Sequence, residues 1–265
     1  MKVYVIITEG YTDCALIEAI LHKYMGFEQY HNKNDMPDCL QRQVGKYPGA
    51  LGEMDREDMP HFFCNEQTAV MVKSAQGVSG IGKKIYDVLE GVILSNDAEL
   101  LQGVLVICDA DLHSAVMREK EIEQQFVDTG IELDTENKTL RHDTLQMDYH
   151  VHVIPQNENG AVEKLLLQVA EKMYPELNCS AKAYRTEIMG DVHKALRKKW
   201  ASDEQIQEFY ADKVQLGAVA AVLKPDRPVG YVVRDCLIRS SKLEEMKQIE
   251  EFKGLYEFLE RNICG

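Results

Sequence analysis

The chain has 265 residues, with 44 Asp and Glu against 30 Lys and Arg, and a formal net charge of −14. No run reaches the ~18 uninterrupted apolar residues of a membrane span, which leaves a soluble protein of one large domain, or one domain plus an appendage. The charge argues against a large passive nucleic-acid-binding surface, and seven scattered cysteines with no CxxC pair argue against a zinc site or a disulfide framework.

Residues 3–7 read as a buried strand, and Thr12 or Asp13 as the cap of a helix running to about Tyr24 with an apolar stripe at helical spacing. Residues 26–66, rich in Asn, Asp, Gln, Gly and Pro, read as an insertion or lid with little regular structure. Thr68–Lys73 reads as a second strand, and 77–94 as a glycine-rich turn opening a helix. Gly103–Cys108 is a third strand, 113–128 a charged helix, 129–148 a short hairpin or irregular connection, and Tyr149–Ile154 a fourth strand. A helix starts near Ala161. Beyond Tyr174 the pattern turns helical: two or three helices over 180–223, divided near 200–203, a break at 224–230, and a last helix at about 242–262. Alternating strands and helices predict an α/β fold, a parallel sheet flanked by helices over 1–173, followed by a mainly helical region over 174–265.

Two acidic stretches end buried-strand patterns: Glu9-Gly10-Tyr11-Thr12-Asp13 and Asp109-Ala110-Asp111. Carboxylates at the C-terminal ends of neighbouring parallel strands converge on one crevice. Three or four of them cannot all stay ionised at close range without a cation, and hard oxygen ligands suit Mg2+ or Mn2+. The competing reading is a capping Asp with a solvent-facing Glu.

Glu9-Gly10 followed by Asp109-x-Asp111 on a later strand resembles the Toprim domain, over about residues 1–170. That domain occurs in topoisomerases, bacterial primases, small RNA-processing nucleases and overcoming-lysogenization-defect (OLD) nucleases. The resemblance implies that Glu9 acts as acid or base and that Asp109 and Asp111 hold Mg2+, with Asp13 assisting. The segment 154–163 resembles the late part of stand-alone Toprim-like proteins, which makes Glu163 the candidate for a second metal. Lys213 is the candidate for stabilising charge on a transferring phosphate, against a surface salt bridge.

Gly77, Gly82 and Lys83 have Walker A spacing, but Lys84 stands where that motif needs Ser or Thr. This argues against a triphosphatase and leaves Gly80, Gly82 and Lys83 as a candidate phosphate-binding turn, against a plain helix cap. The basic runs Lys83-Lys84, Arg197–Lys199 and Arg239–Lys242 read first as solvated helix faces, His113, His150 and His152 as satisfied polar residues, and Trp200 as core. The expected function is a Mg2+- or Mn2+-dependent nuclease on DNA or RNA, cytoplasmic, with no membrane association; a homodimer or a protein partner stays open. A topoisomerase or a primase is disfavoured by length and by the lack of zinc-ribbon spacing. A non-catalytic cation- or nucleotide-binding partner protein is the second reading. A phosphatase using Asp109 as nucleophile ranks last, because the acidic pair lies on the third strand and not the first.

Overall fold

The computed structural model describes residues 1–30, 32–44, 60–196 and 204–265, and for 190–196 and 204–209 the backbone alone. Strand β1 (Lys2–Thr8) is buried at every residue but Lys2, as its continuous apolar run predicts for a strand covered on both faces. It pairs in parallel with β4 (Thr68–Ser74) on one side and β5 (Leu101–Asp109) on the other. β5 pairs in parallel with β8 (Leu145–Ile154). The fold is α/β, with these four strands as its core.

The sheet edges depart from the predicted all-parallel arrangement. β2 (Glu28–Gln29) and β3 (His61–Cys64) add antiparallel strands beyond β4, while β6 (Glu132–Asp134) and β7 (Thr139–His142) add them beyond β8. The second pair is the hairpin expected within 129–148. The first pair corrects the reading of 26–66 as nearly structureless. That segment also carries helix α2 (Asp38–Gln41), whose first N–H groups, from Asp38 and Cys39, donate to the Asp97 carboxylate at 2.8 Å each. Asp97 lies some sixty residues away in sequence, so this cap has no local signal. The Lys46–Gly49 turn signal falls outside the described residues.

Helices cover both faces of the sheet. Val3, Val5 and Ile7 point toward α3 (Ile81–Ile93) and α4 (Ala115–Asp128). Tyr4 and Ile6 point toward α1 (Tyr11–Tyr24) and α5 (Val162–Met173). The C-terminal region continues this second layer. It consists of α6 (Pro175–Leu196), α7 (Glu204–Leu223), α8 (Val229–Val232), α9 (Leu243–Met246) and α10 (Glu250–Leu259). Leu216 and Val219 of α7 and Phe252 and Leu255 of α10 share one apolar cluster with Leu16 and Ile20 of α1. The last predicted helix is interrupted at Ile249, which takes an extended conformation as the cap of α10. Trp200 and the run Arg197–Lys199 fall outside the described residues.

Candidate functional site

The site is built where β1 and β5 leave the sheet side by side. Thr8 pairs with Ile107, and the Glu9 N–H donates to the Ile107 carbonyl at 3.1 Å. Glu9 Oε2 accepts the Asp109 N–H at 3.2 Å, so the two acidic stretches meet directly across one hundred residues. The β4–α3 connection closes over Glu9 from the other side: the Gly77 N–H and the Ser74 hydroxyl both donate to its carbonyl. Gly10 opens α1 in an extended conformation and donates its N–H to Asp13 Oδ2 at 2.7 Å. Asp13 is therefore not the N-cap; it stands three residues into the helix, where its side-chain oxygen accepts the N–H of the capping Gly10.

Asp109 is buried, and its Oδ1 accepts the Val162 N–H at 2.8 Å at the start of α5. This bond carries Glu163, the next residue, to the same acidic group. Asp111 has φ +51 and forms a two-way backbone bridge with Gly160, at 2.7 and 2.9 Å. Gly160 itself has φ +154, and a Cβ there would lie 2.7 Å from the Lys164 side chain. The β5 exit and the β8–α5 loop are thus fixed to one another.

The energetics follow from crowding five carboxylates beside few cations. Burial raises the Asp13 carboxyl to about 8, and the Glu9 and Glu163 carboxylates push the same way. Burial likewise lifts Asp109 well above the usual carboxylate range, joined by Asp13, Glu9 and Glu163. Glu9 is raised by burial and by Asp111, and Glu163 by burial against the pull of Lys213. Lys213 Nζ stands 3.8 Å from Glu163 Oε1. Burial disfavours its charge, but Glu163, Asp109, Asp111 and Glu9 outweigh that and raise it. Six residues from five segments therefore act as one electrostatic group.

Among the described residues, no three His, Cys, Asp or Glu side chains converge tightly enough to cage an ion as they stand. Asp13, Asp109 and Asp111 each have one oxygen committed to a protein donor. Glu163 Oε2 is the exception, buried with no partner.

Two features depart from the sequence reading. Gly80 and Gly82 do not present free N–H groups to a phosphate. The Gly80 N–H bonds the Gly77 carbonyl, and the Gly82 N–H donates to the Gln125 side-chain oxygen at 3.1 Å. A Cβ on Gly82 would lie 2.7 Å from the Gln125 carbonyl oxygen, so this glycine lets α3 and α4 touch. Lys83 is exposed on the outer side of α3. The second feature is Arg118, which motif reasoning missed. It is 3% exposed, bonds Asp111 Oδ2 at 2.8 Å and Glu121 at 2.7 Å, and reaches the Ala110 carbonyl. Its signal was periodicity: Arg118, Ile122 and Phe126 are spaced by four on the buried face of α4. Of the three histidines, His113 follows Asp111 in the loop, while His150 and His152 lie on β8.

A solved structure similar over nearly its whole length is a hypothetical protein, PH0156, from Pyrococcus horikoshii OT3. The TM-score is 0.55 at 16% identity, covering 98% of this chain and 97% of that one. At this identity the likeness extends to the fold alone. No curated protein matches the sequence. The family model described as "Protein of unknown function (DUF3226)" matches residues 3–263, and the chain belongs to that family.

Proposed function

We propose that the protein is a divalent-metal-dependent phosphodiester hydrolase of the Toprim type, a nuclease acting on DNA or RNA. The observation that carries this reading is the meeting of Glu9, Asp13, Asp109, Asp111 and Glu163 beside Lys213 at the exits of adjacent parallel strands. Buried acids that hold protons for want of positive charge release them to a hard cation. The donor set is all oxygen, and Glu163 Oε2 lacks a partner, which fits Mg2+ or Mn2+. Asp109 and Asp111 would hold the ion, with Asp13 and Glu163 completing the site. When bound, Mg2+ or Mn2+ polarises a phosphate oxygen and makes a coordinated water more acidic.

The protein's own groups then divide the remaining work. Glu9, with its proton affinity raised above the ordinary carboxylate value by burial and by Asp111, is suited to exchange a proton during the reaction. Lys213 presents a persistent positive charge to a phosphate entering above Glu163. Arg118 holds Asp111 in place through one guanidinium nitrogen and Glu121 through another, so it is a positioning residue. A phosphatase reading is weakened because Asp109 is buried, with Oδ1 held by the Val162 N–H, which leaves it poorly placed as a phosphoryl acceptor. The seven free cysteines accord with a reducing, cytoplasmic setting.

The test is cleavage of supercoiled plasmid and of single-stranded DNA and RNA with Mn2+, comparing the wild type with Asp111→Asn and Glu9→Gln. Cleavage by the wild type should fall at least about 100-fold in either variant. Intact substrates in all three samples, with Mn2+ still bound by the wild type, would favour a non-catalytic cation-binding partner protein.

A further inference from the structure

A second polar site lies away from the acidic group, at the outer edge of β8. β7 covers that edge only from Leu145 to Asp148. Past the Tyr149 N–H, which donates to the Lys138 carbonyl, the edge borders an open-mouthed cavity of about 230 Å³. His150 and His152 reach it from β8, Gln156 from the following loop, and Phe258 and Arg261 from α10 and the turn that extends it. None of the five carboxylates of the candidate active site lines it.

The chemistry of this cavity is that of hydrogen-bond donors without acceptors. His152 is 4% exposed and stacks at 4.8 Å on the Phe258 ring. Its Nδ1 lies 3.2 Å from the Gln156 side-chain nitrogen, an amide group that can only donate. Nδ1 is therefore the acceptor, and a neutral imidazole carries its proton on Nε2. That Nε2 is buried and has no partner. Burial, with Arg261 nearby, keeps the ring neutral by lowering its pKa to about 4. Arg261 has no hydrogen bond or ion pair among the described residues. The carboxylate in the wall, Glu119, is already engaged by Lys138 at 2.7 Å.

We propose that this cavity binds a small phosphate-bearing ligand, inorganic phosphate or a phosphomonoester. The oxyanion accepts from the Arg261 guanidinium and the second N–H of the Gln156 amide at the exposed mouth, and from His152 Nε2–H once the ring turns that buried nitrogen toward the ligand. Donors converging from a strand, a loop and a helix end suit a tetrahedral anion with several acceptor oxygens. The cavity exceeds the needs of a bare phosphate. Gly254 of α10 also lines it and leaves open space above its Cα, which gives room for a small organic group against Phe258.

The test is a titration of metal-free, histidine-labelled protein with inorganic phosphate and, in parallel, with ribose 5-phosphate, followed by imidazole NMR and calorimetry. The His150 and His152 resonances should shift and saturate. Arg261→Gln should weaken binding at least about tenfold, the loss expected from one charge-assisted bond. Gly254→Phe, which fills the cavity, should abolish it, and Asp111→Asn should leave it unchanged. Tighter binding of ribose 5-phosphate marks a phosphomonoester as the ligand; tighter binding of inorganic phosphate marks the free ion. Fixed histidine resonances up to roughly 10 mM of both probes, or equal shifts in Arg261→Gln, overturn the proposal.

Discussion

Asp13→Asn should make the metal-free protein more stable, and increasingly so as the pH rises. The wild-type carboxyl titrates at about 8 in the folded chain, against 3.8 as its ordinary value, because it is buried beside Glu9 and Glu163. Between those values the folded state binds more protons than the unfolded one. Stability therefore declines as pH rises through this window: the contribution is complete below the ordinary value and lost above the folded one. From pH 5 to pH 8 the unfolded carboxyl is ionised while the folded one is still losing its proton. Three powers of ten in proton activity, at about 1.4 kcal/mol each, give a loss of about 4 kcal/mol. The loss belongs to the coupled group and not to Asp13 alone, since Asp109 is raised by the same neighbours. The substituted amide cannot ionise, but its side-chain oxygen can still accept the Gly10 N–H, so the start of α1 survives. Urea unfolding in EDTA at pH 5, 6, 7 and 8 measures the effect. The variant should show the shallower decline, and Mn2+ at pH 8 should raise wild-type stability more than that of the variant. Parallel curves for the two proteins would refute the claim that these acids strain the fold.

Two further predictions concern the supports of the site. Arg118→Leu removes a buried cation that holds Asp111 and Glu121 and leaves the Ala110 carbonyl without its long contact. Asp111 keeps some access to water, so the loss should be about 2–3 kcal/mol by denaturant unfolding; a change below about 1 kcal/mol contradicts the role assigned to it. Gly82→Ala places a Cβ 2.7 Å from the Gln125 carbonyl oxygen and 2.8 Å from Gln125 Cβ. The backbone of α4 cannot yield as a flexible side chain would, so the variant should lose about 1–3 kcal/mol although alanine favours a helix. A stabilised variant would mean that α3 and α4 slide apart easily.

Local pattern was enough to read the strands β1, β4, β5 and β8 and the helices between them, because continuous apolar runs and helical periodicity are properties of neighbouring residues. It also placed Glu9, Asp13, Asp109 and Asp111 as residues of interest, since an acid at the end of an apolar strand stands out in the chain itself, whereas Glu163 and Lys213 came from the resemblance to Toprim-like proteins. The short edge strands of 26–66 were illegible, because β2 and β3 form only against each other and β4, and α2 is capped by the distant Asp97. Gly82 shows the opposite failure: its spacing imitated a phosphate loop, while its lack of a side chain serves helix packing. Arg118 looked like one more charge on a charged helix until Asp111 was found beside it.

The sequence by itself determined which residues carry charge to the ends of strands, since hydrophobic runs and their abrupt acidic endings are written in consecutive positions. Only the tertiary structure decided that these charges share one space. Strand order, the Glu9–Asp109 contact and the burial that raises their proton affinities depend on parts of the chain about one hundred residues apart coming together.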